Sequence, residues 1–378
     1  MVMSVKKDFL IVGGGLAGLT AAIHLLKAGV PVTIIEKNSY PQHKVCGEYI
    51  SNEVLPYLNM LGVTLDQLPV TQLRRFQFSP SQGRQILTDL PLGGIGISRY
   101  LLDECLYQHA LALGCQVIQD KVTHISYASN AFHVELAHHA PLTASLVIAA
   151  HGKRDQLDER LSRPFFYKRS PWLAVKAHYK VAFPDDLIGL YTFNGGYCGV
   201  SKVENDVVNI CYLTSYSSFR KYKNIKEHRA AILYENPQLR EIFEKATMIN
   251  EQPLTISQIS FLNKRKVEQH VLMIGDSGGL IHPLCGNGMA MAIHSAKLCA
   301  ETVISYHSGT MSRAQMEKRY TSLWKQHFGK RMLMGRILST LLHQQRLTAT
   351  LTRFLSVFPS VLRFIIRQTH GKKPIFTG

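Results

Sequence analysis

The beginning of the chain alternates short apolar runs with a stretch of helical periodicity. The runs from Phe9 to Val12 and from Val32 to Ile35 predict two buried strands. Between them, apolar residues from Leu19 to Leu26 recur at helical spacing, and Gly29 ends the pattern. A strand, a turn, a helix and a second strand in this order form a βαβ unit, so the chain opens with the start of a parallel sheet.

Later patterns predict a second kind of sheet. Leu73 to Phe78 and Gln85 to Leu90 predict side strands, and Tyr100 to Leu113 predicts an amphipathic helix. A β-meander that returns to the main sheet is predicted over Gln116 to Ile118, Val122 to Tyr127, Phe132 to Leu136 and Ser145 to Ala150. From Pro164 onward, aromatic runs with turn signals predict an antiparallel sheet that is suited to form a substrate wall. Its strands are Leu173 to Val181, Ile188 to Phe193, Gly195 to Val200 and Val207 to Leu213.

A glycine-rich turn joins the first strand to the first helix. Gly13, Gly15 and Gly18 form the pattern G-x-G-x-x-G, and Glu36 follows the second strand. The missing side chains let the backbone approach a pyrophosphate, whose charge the helix N-terminus faces, while an acid after the second strand accepts hydrogen bonds from ribose hydroxyls. Because a carboxylate repels a 2′-phosphate, the predicted ligand carries an unphosphorylated adenosine, as FAD and NAD do.

A second glycine-rich segment runs from Gly275 to Met289. It follows the apolar run from Val271 to Ile274 and precedes a predicted helix that ends at Tyr306. Two glycine-rich sites so far apart in sequence favour one long cofactor held at both ends, so we predict FAD. The backbone N–H groups at the start of the helix carry the positive end of its dipole, which stabilises the negative charge of a reduced flavin.

Together these patterns predict an α/β (α+β) fold in which two domains are interleaved. A Rossmann-type FAD-binding domain is expected to comprise residues 1–72, 93–163 and 263–310. An antiparallel-sheet substrate-binding domain is expected to comprise residues 73–92 and 164–262. Residues 311–378 are expected to form a basic C-terminal helical region.

The composition is that of a globular chain. Hydrophobic residues make up 46% and charged residues 18% of the 378 residues, which is enough to build a large core. Seven widely spaced cysteines without a C-x-x-C pair favour reduced thiols in the cytoplasm, and they predict neither a disulfide framework nor a metal site. The polar N-terminus is not expected to be a signal peptide, and no apolar run is long enough to predict a transmembrane helix.

The formal net charge of +17 is concentrated near the C-terminus, where residues 311–378 hold thirteen Lys or Arg residues and one acidic residue. Within residues 331–378, apolar residues recur at helical intervals between arginines. These arginines are Arg346, Arg353, Arg363 and Arg367. The helices are expected to pack on the body of the protein, to lie peripherally on the inner face of a membrane, or to bind an acidic carrier protein. Nothing resembling a groove-reading module accompanies the charge, so nucleic acid is not predicted as a partner.

Several motifs, taken in chain order, resemble the para-hydroxybenzoate-hydroxylase-type flavoproteins. They are the fingerprint with Glu36, the helix that opens at Arg99, the strand that ends at Gly152 and the segment from Gly275 to Pro283. The stretches Lys44 to Ser51 and Gly278 to Met289 are most similar to the geranylgeranyl-reductase-like branch of these FAD-dependent oxidoreductases. The resemblance covers roughly the first 310 residues by motif order.

At the nucleotide end, the resemblance implies that Gly13, Gly15 and Gly18 contact the pyrophosphate and that Glu36 binds the adenosine ribose. Arg99 is implied to contact the phosphate or ribityl region. At the flavin end, the resemblance places Asp276 on the ribityl chain, and it places Pro283 and the turn from Gly286 to Met289 against the isoalloxazine ring. The other residues of the predicted cofactor site are Leu16, Ala17, Lys37, Gly47, Val122, Gly275, Asn287 and Gly288.

Cys46 is the candidate catalytic residue and is also included in the predicted cofactor site. By the resemblance it lies near the flavin ring, where a thiol can tune the redox state or the approach of a substrate. The alternative is a small buried apolar residue, since reactivity needs an electropositive setting that only His43 and Lys44 hint at.

The resemblance implies an FAD-dependent oxidoreductase that acts on a hydrophobic substrate, with NAD(P)H as the transient electron donor. The leading expectation is hydride transfer from reduced flavin to a C=C bond of an isoprenoid or polyketide-like chain. His151-Gly152 replaces the Asp-Gly of the related hydroxylases, which leaves the route from NAD(P)H open. Two alternatives are monooxygenation of an alkylphenol or quinone precursor, and a non-enzymatic flavoprotein that carries electrons or binds lipid. Halogenation is not predicted, because the Trp-x-Trp-x-Ile-Pro signature is missing.

Overall fold

The computed structural model of the protein describes residues 5–81, 85–222, 224–342, 360, 361, 366, 374 and 375. The strands are β1 (Val5–Val12), β2 (Thr33–Glu36), β3 (Tyr49–Ser51), β4 (Thr71–Ser79), β5 (Ile86–Gly96), β6 (Gln116–Gln119), β7 (Val122–Ala128), β8 (Ala131–Leu136), β9 (Leu142–Ala149), β10 (Trp172–Lys180), β11 (Leu187–Phe193), β12 (Gly196–Lys202), β13 (Val208–Ser215), β14 (Thr247–Met248), β15 (Leu254–Ser257), β16 (Val267–Glu268) and β17 (Val271–Met273). The helices are α1 (Leu16–Lys27), α2 (Leu55–Met60), α3 (Arg99–Ala112), α4 (Gln156–Arg160), α5 (Tyr216–Phe219), α6 (Ile225–Ile232), α7 (Pro237–Lys245), α8 (Gly275–Gly278), α9 (Gly288–His307) and α10 (Arg313–Leu342).

Sheet A contains the predicted βαβ unit. Its strands lie in the order β16-β17-β9-β1-β2-β6, and the pairs from β17 to β6 are parallel. One expectation was wrong, because Gln116–Gln119 does not belong to the meander but pairs in parallel with β2. The meander consists of β7, β8 and β9, whose neighbouring strands are antiparallel.

The carboxyl ends of the parallel strands bring the predicted motifs together. β1 leads into Gly13, β2 ends at Glu36, β9 leads into His151, and β17 leads into Gly275. Because these strands run in the same direction, their following loops meet at one edge of sheet A, where ligands of open α/β sheets bind.

Sheet B is mostly antiparallel and has the order β14-β10-β13-β12-β11-β4-β5-β3, with β15 beside β10. β4 and β11 form a parallel pair within it. The sheet also takes in Tyr49–Ser51 and extends to Gly96, so it includes residues that the predicted boundaries placed in the cofactor domain. The predicted class, an α/β fold with an inserted sheet and C-terminal helices, is confirmed.

The core lies on both faces of sheet A. On one face, α1 and α9 pack together over apolar side chains of β1 and β2, and α10 adds buried Tyr320, Trp324 and Phe328. The Tyr320 hydroxyl donates to the carbonyl oxygen of Met273 at 2.7 Å, which ties α10 to β17. On the other face, a second cluster joins β7, β8 and β9 to α4. The beginning of the basic C-terminal region therefore packs on the body of the protein.

Beyond α10, Ile366 is buried against an apolar cluster of sheet B that includes Tyr49, Leu73 and Phe78. Arg346, Arg353, Arg363 and Arg367 lie outside the described residues, so the membrane or carrier-protein partner predicted for residues 331–378 stays a prediction. Among the helices that the structure describes, none is both long and apolar enough to cross a bilayer.

Candidate FAD site

A cavity of about 600 Å³ lies between the carboxyl edge of sheet A and one face of sheet B. Sixteen of the predicted site residues line it. They are Gly13, Gly15, Leu16, Ala17, Glu36, Lys37, Cys46, Gly47, Arg99, Val122, Gly275, Asp276, Pro283, Gly286, Gly288 and Met289. The structure thus brings both glycine-rich segments to one continuous space.

Gly18 and Asn287 do not line this cavity, unlike the other predicted residues. A Cβ atom at Gly18 would lie only 2.0 Å from the carbonyl oxygen of Gly13, so this glycine permits close packing of α1 on the fingerprint loop. The Asn287 side chain is buried, and its amide donates to Glu53 at 3.0 Å. Both residues shape the loops behind the cavity wall.

The fingerprint loop is fixed by its own backbone and by Glu36. Gly13 has a φ of 104°, and an added Cβ atom would lie 2.5 Å from the carbonyl oxygen of Ala150. The Glu36 carboxylate accepts hydrogen bonds from the Gly14 N–H at 2.7 Å and the Asn38 N–H at 3.0 Å. This carboxylate is therefore held at the end of β2, facing the cavity, where a ribose is expected to bind.

Two cations flank the same loop. An added Cβ atom at Gly15 would lie 3.7 Å from Arg99 Nη2 and 3.8 Å from Lys44 Nζ. Asp103 holds both cations, because it accepts two hydrogen bonds from Arg99 at 2.7 Å and one from Lys44 at 2.9 Å. Burial opposes the charge on Arg99, but Asp103 raises its pKa above the ordinary value. Asp103 was not predicted as a site residue, although its i,i+4 spacing from Arg99 is typical of a helical ion pair.

Buried cations also lie behind the Gly275–Gly278 turn. Lys264 Nζ donates to the carbonyl oxygens of Lys153 and Asp276 at 2.8 Å, and Lys266 Nζ donates to that of Gly278 at 2.7 Å. Burial lowers the pKa of Lys264 to about 8 and the pKa of Lys266 to about 7. The two Nζ atoms secure the turn by its carbonyl groups, and the protonated form of Lys264 places positive charge behind the wall on which Asp276 lies.

Arg163 and Asp158 form a further buried pair at this turn. Arg163 is 1% exposed and donates to Asp158 Oδ1 at 2.6 Å and to the carbonyl oxygen of Ser277 at 2.9 Å. His151 Nε2 also contacts Asp158 Oδ1 at 3.0 Å. The imidazole that replaces the expected Asp at position 151 is thus backed by a carboxylate from α4.

A third charged cluster surrounds Glu48, which follows Cys46-Gly47. Glu48 is fully buried, and its carboxylate accepts hydrogen bonds from Lys176 Nζ and from the Arg99 N–H, both at 2.9 Å. The carboxylate is also hydrogen-bonded to His178 Nε2 at 2.6 Å. Lys176 and His178 alternate with Val175, Ala177 and Tyr179 on β10, so both point to one face. This alternation was the signal that sequence reasoning passed over.

His43, Glu48 and His178 are the group of described residues whose side-chain atoms come close enough to share a metal ion. Glu48 already accepts a hydrogen bond from the Lys176 ammonium group, which would repel a cation at this position. We therefore interpret the cluster as a structural tie between β10, the Cys46 loop and the start of α3.

Sheet B supplies an apolar wall opposite Gly275 to Met289. Leu190, Tyr197, Leu213 and Ile256 line the cavity there. Cys46 and Cys211 both line the cavity, and burial raises the pKa of Cys211 to about 12, so that its thiol stays protonated. All seven cysteines are free, as predicted.

The residues around the cavity fit a dinucleotide cofactor. A loop without side chains, a carboxylate at the end of β2 and the Arg99–Lys44 pair match a pyrophosphate and a ribose at one end. The N-terminus of α9 and the Asp276 turn lie at the other end. A sequence model of the FAD binding domain family matches residues 6–327. The chain belongs to this family.

Several known proteins resemble the chain at low identity. Menaquinone reductase of Mycobacterium tuberculosis is 23% identical over 367 residues, which cover 91% of this chain and 86% of the relative. The solved structure of a geranylgeranyl bacteriochlorophyll reductase-like protein from Thermoplasma acidophilum matches with a TM-score of 0.76 at 21% identity. The match covers 99% of this chain and 98% of the Thermoplasma chain. The structure of the flavin-dependent brominase Bmp2 matches with a TM-score of 0.80 at 16% identity, and the match covers 98% of this chain and 94% of the Bmp2 chain.

Relatives of this FAD binding domain protein include geranylgeranyl reductases, a halogenase and a ubiquinone hydroxylase. The protein is therefore an FAD-dependent oxidoreductase. The family model establishes the family and the solved structures establish the fold, while these low identities do not determine the branch within the family.

Replacing Gly13 with alanine is expected to abolish stable FAD binding in this family member. The new Cβ atom would overlap the carbonyl group of Ala150, and the positive φ adds about 1–3 kcal/mol of strain. FAD occupancy measured by absorbance after gel filtration checks the prediction. Gly29→Ala is the matched control, because Gly29 also has a positive φ but its Cβ atom would meet nothing within 4 Å. A Gly13→Ala protein with full FAD occupancy would contradict this role.

Proposed function

We propose that the protein reduces a C=C bond in a hydrophobic chain of isoprenoid or polyketide type, in the manner of the geranylgeranyl-reductase-like branch. The observation that carries the proposal is the apolar face of sheet B opposite the Gly275 to Met289 segment. Leu190, Leu213 and Ile256 offer such a chain an apolar surface inside the same cavity as the cofactor residues. The names of the Mycobacterium and Thermoplasma relatives agree with a reductase of isoprenoid compounds.

When bound, FAD supplies hydride transfer from its reduced ring. The residues of the chain bind and orient the reactants around it. Arg99 and Lys44 would hold the anionic pyrophosphate, and Glu36 would orient the ribose. The N-terminus of α9, with its dipole, stabilises negative charge at the flavin end. Saturation of a C=C bond also consumes one proton, and Cys46 Sγ at the cavity wall is our candidate to hold it.

We further propose NAD(P)H as the electron donor, with the nicotinamide approaching near His151. His151 lines the cavity and is positioned by Asp158. Anaerobic addition of NADH or NADPH should bleach the absorbance of the bound flavin. If only dithionite bleaches it, the donor proposal fails, while the reductase proposal remains testable with dithionite.

Monooxygenation is the second candidate, because a ubiquinone hydroxylase of Neisseria meningitidis is 21% identical over 98% of this chain. The two reactions are separated by mass spectrometry of the product, with polyprenyl alcohols and polyprenylated quinones as substrates. Reduction predicts a gain of two hydrogen atoms per bond in the absence of oxygen. Product that gains one oxygen atom, and forms only with oxygen present, would overturn the reductase proposal.

A further inference from the structure

A second cavity, of about 370 Å³, lies between α9 and α10. Its walls carry His294, Lys297, Leu298, Glu301 and Thr302 from α9, Arg319, Leu323, His327 and Arg331 from α10, and Pro374 and Ile375. α9 contributes Gly288, Met289 and Ala292 to the FAD cavity instead. Because a helix turns once every 3.6 residues, these two sets lie on opposite faces of α9. The second cavity is therefore separate from the cofactor site.

Positive charge exceeds negative charge around this cavity. Lys297 pairs with Glu301 at 2.5 Å, and Arg331 makes two hydrogen bonds of 2.8 Å to the buried carboxylate of Glu53. Arg319 is exposed and forms no ion pair with any residue that the structure describes. Among the described residues, all the acidic groups near this cavity are paired with other cations, and the guanidinium group of Arg319 has no paired carboxylate.

His294 adds a buried polar group whose Nδ1 atom is unpaired within the part of the chain that the structure describes. His294 is only 5% exposed. The His327 ring lies 4.8 Å away, between centroids. Burial lowers the pKa of His294 to about 3, and the nearby His327, Arg331 and Lys297 act in the same direction. Burial also lowers the pKa of His327, and there Lys297 and Arg331 outweigh the opposing effect of Glu301. A buried polar atom of this kind is satisfied by an ordered water molecule or by a bound ligand.

The surrounding charges decide which ligand fits. Lys297, Arg319 and Arg331 would repel a metal cation. Within the described part of the chain, the cavity histidines and Glu301 are also not among the side chains that converge closely enough for a metal site. An oxyanion instead supplies an acceptor for Arg319 and a counter-charge that favours protonated histidines.

We propose that this cavity binds a phosphate-bearing ligand. The phosphate oxygens accept hydrogen bonds from Arg319, His294 and His327. The rest of the ligand lies against the apolar side chains of Leu298, Leu323 and Ile375. This cavity lies on the opposite face of α9 from the FAD cavity, so the proposal does not depend on the proposed reaction.

The test titrates the FAD-loaded full chain with inorganic phosphate and pyrophosphate by calorimetry, with sodium chloride at equal ionic strength as the reference. Phosphate should bind. Sulfate, titrated in the same way because its charge does not change between pH 6 and pH 8, should bind more tightly at pH 6, because an oxyanion raises the pKa values of both histidines and binding then takes up protons. Arg319→Glu should weaken binding at least about tenfold, the loss expected for a charge-assisted hydrogen bond. Lys226→Glu makes the same charge change on exposed α6 and should leave binding unchanged.

His294→Gln should retain FAD and remove most of the pH dependence. Vesicles of phosphatidylcholine with and without phosphatidic acid distinguish the source of the phosphate. Arg319-dependent flotation with phosphatidic acid identifies a lipid headgroup, whereas phosphate binding without flotation identifies a soluble ligand. The proposal is overturned if phosphate and chloride act alike at both pH values, or if Arg319→Glu and Lys226→Glu bind phosphate equally.

Discussion

Replacing Glu48 with alanine is expected to lower the free energy of unfolding by about 3–5 kcal/mol, the range for breaking a buried ion pair by removing one partner. The variant leaves Lys176, which is 1% exposed, and His178, which is 5% exposed, without their carboxylate. It also removes the acceptor for the Arg99 N–H at the start of α3. Urea unfolding followed by fluorescence and circular dichroism measures the change.

The effect of this substitution should depend on pH. Burial alone would raise the pKa of Glu48, but the hydrogen bond from His178 and the charge of Lys176 lower it below the ordinary value. A carboxyl group with a lowered pKa stabilises the folded state fully above its unfolded pKa and loses that contribution as the pH falls through the folded pKa. The difference between wild type and variant should therefore be largest near neutral pH and shrink in acid.

Glu241→Ala is the control for Glu48→Ala. Glu241 pairs with Lys245, and both side chains are more than half exposed, so solvent screens the pair and its loss should leave the free energy of unfolding nearly unchanged. If the two variants unfold at the same urea concentration, Glu48 does not hold the Cys46 loop to β10.

Asp158→Ala is expected to cause a loss of similar size, about 3–5 kcal/mol, and to weaken FAD binding as well. The substitution strands the Arg163 guanidinium group, which is 1% exposed and also holds the Ser277 carbonyl oxygen. Since Ser277 belongs to the turn that carries Asp276, a shift of Arg163 disturbs the cofactor wall. Thermal unfolding with and without added FAD measures both effects.

Acid titration gives Asp158 a second signature. His151 and Arg163 overcome the effect of burial and lower the pKa of Asp158 to about 2. Its stabilising contribution should thus persist well below pH 4 and be lost only as the pH approaches about 2. The neighbouring exposed Glu159 provides the control variant Glu159→Ala. An Asp158→Ala protein with wild-type stability and FAD affinity would contradict the role assigned to this pair.

The elements predicted correctly from sequence were those that local signals define. The fingerprint and the Gly275 to Met289 segment each combine a strand, a turn and a helix within a few residues, and both line the FAD cavity. Gln116–Gln119 was assigned to the wrong neighbours because a short apolar run does not specify which strand it pairs with. Tyr49–Ser51 was not predicted as a strand, since its partner lies in β5, far along the chain.

The charged clusters could not be predicted for a related reason. Glu48 and Lys176 are separated by 128 positions, and Asn287 and Glu53 by 234. Each residue is unremarkable in its own segment and acquires a role only when folding brings the partner to it. The assignment of Gly18 to the pyrophosphate followed the motif, whereas its packing role depends on the distance between α1 and the preceding loop.

The place of β17 in sheet A has a consequence for biosynthesis. β9 lies between β1 and β17, and α9, which covers α1, follows β17 in the chain. At roughly 5–20 residues per second, the ribosome needs on the order of 10–50 s to proceed from β2 to β17. During that interval the apolar face of α1 has no α9 to cover it. The nascent chain should therefore need protection by a chaperone until α9 has emerged, and truncation before α9 should yield insoluble protein.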